Sequence, residues 1–276
     1  MIGFAKAHAY GNDFLYVRGA EVAGVRLDGL AREMCDRQTG IGADGLIVYE
    51  TTPGGAAMRL FNADGGSAEI SGNGVRGLAA LLALHDDHLS LNLTVATAGG
   101  IKQLTRLARD ATRQTFRAEM GAPEGLRQAS IALAGETVDL VLLSMGNPQA
   151  VLLGPLPSDD RFRFLGSALE RHPAFPEGTN VGFAYVKEPA VVHVRIWERG
   201  VGPTLSSGTG SCAALVAAAA YGGAARKAEV IAPGGGQLVE WTETGVYLTG
   251  WAEVLCQGEW LRAPPISAAT AFPSGS

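Results

Sequence analysis

The sequence predicts an α/β fold assembled from two similar halves, and three observations carry that prediction. Short strand-like segments are punctuated by 38 glycines. Two Ala/Leu-rich helical stretches, 75–84 and 212–221, each follow a Ser-Gly-X-Gly sequence. Those sequences also recur at a fixed spacing: Ser71-Gly72-Asn73-Gly74 and Ser207-Gly208-Thr209-Gly210 lie 136 positions apart (207 − 71). Phe61-Asn62 and Trp197-Glu198 keep the same offset of 136 (197 − 61), and Gly11-Asn12 returns as Gly146-Asn147 at 135 (146 − 11). A register held to within one residue across three motifs is the signature of a duplication.

The elements follow from local pattern. Strands are predicted over 14–18, 46–50, 91–95, 138–143 and 191–197. The last alternates Val192, Val194 and Ile196 with His193, Arg195 and Trp197, as a strand with one buried face requires. Ala98-Gly99-Gly100 reads as a hairpin turn. A helix is predicted over 28–37 with Asp28 as its N-cap. The halves join near Gly121-Ala122-Pro123, and the Ser/Ala/Pro-rich tail beyond Pro265 is expected to be loose.

Composition narrows the class. A chain of 276 residues with 47% hydrophobic and 18% charged residues buries a substantial core, as two moderate domains or one large one. The net charge of −5, without a Lys/Arg cluster, argues against nucleic acid or an anionic membrane as partner. The longest small-apolar run, 213–220, is far short of the ~20 residues that span a bilayer. Cys35, Cys212 and Cys256 are scattered and odd in number, which reads as reduced thiols in a cytoplasmic protein. Cys35 and Cys212 read as packed helix residues. The five histidines show no ligand spacing, so no metal is expected; His85 and His88 read as solvated. No phosphate loop is present, and no cofactor is expected.

Ser-Gly-X-Gly at a helix start has a chemical use. The glycines let N–H groups converge, and the helix N-terminus adds partial positive charge, which suits a carboxylate. For a single copy the plainer reading is a glycine turn with a Ser or Asn cap. Two copies related by a pseudo-twofold axis would hold one small acid between a side chain from each half. Racemisation needs that arrangement: one group removes the α-proton, and another returns a proton to the opposite face.

Along nearly its whole length the chain resembles the diaminopimelate epimerases. The matching stretches, taken in order, are Gly11-Asn12-Asp13-Phe14, Thr39 to Gly45 (TGIGADG), Arg59 to Gly65 (RLFNADG), Ser71 to Arg76 (SGNGVR), Ser144 to Pro148 (SMGNP), Thr179 to Phe183 (TNVGF), Trp197 to Gly202 (WERGVG), Ser207 to Gly210 and Pro233-Gly234-Gly235. The resemblance implies two pseudo-symmetric halves, each a curled, barrel-like, mostly antiparallel sheet around a central helix. The first half would comprise 1–116 plus about 257–265, the second 117–256, and 266–276 the tail. It implies cofactor-free interconversion of LL- and meso-diaminopimelate, a step of lysine and peptidoglycan precursor synthesis, and leaves room for a homodimer.

By the same match Asn12, Asn62, Asn147, Asn180 and Arg199 would hold the distal end of a diaminopimelate-like amino acid. Glu198 would meet the amino group at the reacting carbon, and Gly72, Asn73, Gly208 and Thr209 would cradle its carboxylate. Ser71 and Ser207 stand where the family has its two catalytic cysteines, and Gln149 replaces a histidine. An alcohol, like water, titrates far above a thiol, whose ordinary value is ~8.5, a gap worth roughly 10 kcal/mol; a helix terminus supplies ~2 at best. Serine therefore needs a neighbouring base, and Glu198 remains to provide one. Three readings stay open: an epimerase assisted by Glu198, a cleft whose serines were introduced to trap a ligand, and an inherited amino-acid-binding fold. That last would be a binding protein, or an isomerase or dehydratase of another small amino or hydroxy acid.

Overall fold

The computed structural model describes residues 1–88 and 91–263; the expected loose tail, 266–276, lies outside the described residues. The first half contributes β1 (Ile2–Ala9), β2 (Asn12–Arg18), α1 (Leu27–Cys35), β3 (Gly45–Thr52), β4 (Gly55–Asn62), β5 (Ser67–Ala68), α2 (Gly72–Leu82), β6 (Asn92–Thr97), β7 (Gly100–Asp110) and β8 (Arg113–Gly121). After β9 (Glu124–Leu133) the pattern repeats. It runs through β10 (Glu136–Ser144), β11 (Pro148–Leu153), α3 (Asp159–Glu170), β12 (Asn180–Glu188), β13 (Val191–Glu198), β14 (Gly202–Thr204), α4 (Gly208–Tyr221), β15 (Lys227–Ala232), β16 (Gly235–Trp241) and β17 (Val246–Trp260).

Strand pairing bears out the two-half architecture. In the first half β1, β2, β3, β4, β6, β7, β8 and β17 pair successively, and β17 returns to β1, closing an eight-stranded barrel. Its parallel pairs are β2/β3 and β4/β6; their counterparts in the second half, β11/β12 and β13/β15, are parallel too. The halves exchange strands. β8 runs on into β9, which pairs with β10, while β17 pairs with β16 and β8 and then continues along β1.

One helix fills each half. α2 packs on β1, β2, β8 and β17; α4 packs on strands of the second half. α4 is apolar all round, as a helix enclosed by a sheet must be. Leu78, Leu215 and Val216 are fully buried, and burying a Leu or Val side chain contributes about 1.5–3 kcal/mol. Both helices share one core, whereas α1 and α3 cover outer sheet faces with their own clusters.

Two expectations need amendment. Asp28 does not cap α1. The N-cap is Arg26, without a side-chain bond, and the Asp28 carboxylate is taken by Arg26 and Arg32. α3 was not foreseen. Ser158 caps it by accepting from the Arg161 N–H, and Asp159 and Asp160 sit in its first turn, where the helix dipole favours them. The hairpin at Ala98-Gly99 forms as expected, with Thr97 paired to Gly100. Cys35 and Cys212 are buried in helices, and burial pushes each thiol up to about 12.

Candidate active site

Ser71 and Ser207 cap α2 and α4 in matching geometry. Both have extended backbones; Ser71 Oγ accepts from the Gly74 N–H at 3.1 Å and Ser207 Oγ from Gly210 at 3.3 Å. Intrahelical bonding begins only with Val75 to Ser71 and Ser211 to Ser207. The N–H groups of Gly72, Asn73, Gly208 and Thr209 thus precede the helical ladder. The two N-termini meet: a Cβ on Gly72 would lie 3.1 Å from the Gly208 Cα, and one on Gly208 3.0 Å from the Gly72 Cα. Two positive helix ends converge because neither residue has a side chain.

The cleft at this meeting point encloses about 60 Å³. Asn12, Asp44, Asn62, Glu69, Ser71 and Gly72 of the first half line it together with Asn147, Asn180, Glu198, Arg199, Ser207 and Thr209 of the second. Two of the expected site residues stand back from it. Gly208 packs on Gly72, and the Asn73 side chain is buried, donating to Asn12 Oδ1 and the Ser206 carbonyl, each at 3.1 Å. Behind Asn73 lies Arg76, fully buried, which donates to Asn73 Oδ1 and, at 2.6 Å, to Gln237 Oε1. Burial holds its guanidinium down to about 10.

Three carboxylates reach the cleft, and two are tied down. Asp44 accepts from Asn12 Nδ2 at 2.8 Å and pairs with Arg37 at 2.9 Å; Glu69 pairs with Arg199 at 2.8 Å. Glu198, among the described residues, has no cation partner. Burial pushes its carboxyl up to about 7; a hydrogen bond with Ser207 works against that rise, and the charge of Asp44 adds to it. The serine's cap bond uses an oxygen lone pair, so its O–H remains available to Glu198. Gln149 donates to Asn147 Oδ1 at 2.8 Å, making it an anchor for that asparagine. Asn180 accepts from the Arg199 N–H at 3.1 Å. The buried Glu170 fixes the same strand end by accepting from Trp197 Nε1 at 2.7 Å and the Gly200 N–H at 2.8 Å.

Asp44, Glu69 and Glu170 are site-forming groups that no local sequence pattern singles out. Asp44 lay inside a recognised motif and Glu69 two residues before Ser71, but the contacts that give them meaning cross large sequence separations. No group of three His, Cys, Asp or Glu side chains among the described residues could hold a metal. No helix among them is long and apolar enough to cross a membrane.

Comparison with known proteins agrees with this architecture. A probable proline racemase from Agrobacterium radiobacter K84, solved with bound carbonate, superposes with a TM-score of 0.75 at 17% identity, covering 96% of this chain and 94% of that one. A hydroxyproline epimerase from Agrobacterium vitis, solved with trans-4-hydroxy-L-proline, superposes at 0.70 and 17% identity over 93% and 90%. These identities speak for the fold alone. In sequence, the diaminopimelate epimerase of Desulforudis audaxviator (strain MP104C) is 41% identical, covering 94% of this chain and 99% of the relative. That of Desulfitobacterium hafniense (strain DSM 10664 / DCB-2) is 37% identical over 92% and 96%. The family pattern for diaminopimelate epimerase matches residues 4–125 and 141–255, one block in each repeat, and the chain belongs to that family.

Proposed function

We propose that this protein epimerises diaminopimelate at its α-carbon without a cofactor, with Glu198 serving as the base on one face. The observation that carries the reading is the convergence of two Ser-capped helix N-termini on one cleft beside a carboxyl raised to about 7. The substrate α-carboxylate sits against the N–H groups of Gly72, Asn73, Gly208 and Thr209, where charge developing on its oxygens is stabilised. Glu198 takes the α-proton, directly or through the Ser207 hydroxyl, and a carboxyl titrating near neutrality suits that task. Ser71 delivers a proton to the opposite face; solvent reprotonates the alkoxide left behind, and the protonated Glu198 returns its proton to solvent, which resets both groups. Asn12, Asn62, Asn147, Asn180 and Arg199 hold the distal end.

The faces are unequal. On the Ser207 side a carboxylate is available; on the Ser71 side the cleft carboxylates are paired with Arg37 and Arg199. This inequality favours a second reading, in which a single-face proton abstraction serves isomerisation or dehydration of another small acid. The cytoplasm suits either reading, with Cys256 exposed as a free thiol. Proton NMR of LL- and meso-diaminopimelate in D₂O tests the proposal. Loss of the α-proton signal together with appearance of the other isomer is expected. Absence of both exchange and interconversion would sink it.

A further inference from the structure

Arg199, the residue placed to receive a distal carboxylate, is already engaged by one from its own chain. Its Nη2 donates to Glu69 Oε1 at 3.0 Å and Oε2 at 2.8 Å, and its Nη1 donates to the Glu177 carbonyl at 3.0 Å. A guanidinium offers a carboxylate two bidentate edges, Nη1/Nη2 and Nε/Nη2, and Nη2 belongs to both. With Glu69 on Nη2, neither edge is open. An incoming carboxylate gains its paired bonds by displacing Glu69, which then loses its cation within the cleft.

We propose that Glu69 is a specificity-determining residue that reads the distal ammonium of the substrate. This rests on the diaminopimelate reading above. A distal amino-acid group carries both charges: its carboxylate takes Arg199 while its ammonium takes the Glu69 carboxylate, and two ion pairs replace one. A ligand with a distal carboxylate but no ammonium strands Glu69 beside a second negative charge, a penalty of the kind that makes charged sites reject incomplete ligands. Glu69 is placed for the exchange. It lines the cleft, its side chain is 47% exposed, and it precedes Ser71 by two residues, so it swings away from Arg199 without unpacking the core.

The test is calorimetric titration of the parent and Glu69→Gln with meso-diaminopimelate and with 2-aminopimelate, which lacks the distal ammonium. The parent should prefer diaminopimelate by about tenfold or more. In Glu69→Gln that preference should collapse to within about twofold, because diaminopimelate binds more weakly and 2-aminopimelate more tightly. A preference unchanged by the substitution overturns the proposal. So does equal tightening of both ligands, which would make Glu69 a mere competitor for Arg199. Failure of both ligands to bind the parent overturns the diaminopimelate reading itself, and this proposal with it.

Discussion

Gly72 and Gly208 touch backbone to backbone, and the whole cleft is organised around that contact. A methyl on Gly208 would meet the Gly72 Cα at 3.0 Å and Leu248 Cδ2 at 3.2 Å. The first neighbour is main chain inside a capped helix turn and cannot step aside cheaply. Gly208→Ala should therefore destabilise the fold by about 1–3 kcal/mol through overpacking. Denaturant unfolding would detect it; a stability within about 0.5 kcal/mol of the parent would show that the helix ends have room to separate.

Glu198 ties stability to pH. Its folded-state titration near 7 lies above its ordinary value of 4.5, so the protonated form favours the fold. That contribution is complete below about 4.5 and is lost as pH rises through 7, up to a ceiling of about 3 kcal/mol. Between pH 5 and 8 the parent should lose stability relative to Glu198→Gln, measured by paired unfolding curves. Parallel curves would contradict the assignment.

The same group should set the activity profile. α-Proton exchange should rise with pH and level off above about 7, as the carboxylate form becomes complete, and Glu198→Gln should abolish it. Exchange that persists in the glutamine variant would assign the base elsewhere.

Thiols should supply a matched acid–base pair. Ser71→Cys combined with Ser207→Cys should raise epimerisation at least about a hundredfold, because a thiolate is accessible near neutrality and orientation is already supplied. Each single change should help less, since full turnover uses both faces. A double variant that binds diaminopimelate without exchange or epimerisation would show that the cleft serves different chemistry.

Arg199→Ala should weaken diaminopimelate binding by about tenfold to a hundredfold, more than Ser71→Ala or Ser207→Ala. The loss has two sources: the charge-assisted pair disappears, and Glu69 stays in the cleft without its cation. An unchanged dissociation constant would remove Arg199 from the distal site.

Much of this was legible in the sequence because duplication leaves a linear record. The 136-residue offset between Ser71 and Ser207 is the same repeat that sets α2 and α4 as equivalent helices. The alternation at 191–197 survives as the buried Val192, Val194 and Ile196 of β13. What escaped was non-local. Glu69 and Arg199 are separated by 130 residues, and no local pattern distinguishes this glutamate from a solvated one. Asp28 has the residue type of an N-cap, but arginines on either side compete for its carboxylate. α3 begins with Asp159-Asp160-Arg161, a polar stretch that reads as loop until Phe162, Leu165 and Leu169 are seen against the sheet.

β17 imposes an order on the birth of the molecule. Ile2 pairs with Trp260, and β8, finished by residue 121, pairs with residues 246–253 of the same late strand. The first barrel cannot shut while the second half is still being synthesised. At about 5–20 residues per second, the amino-terminal strand waits roughly 13–50 s for its partner. Throughout that interval the edges of β1 and β8 that β17 will cover stay open, and the cell must shelter them until β17 is made.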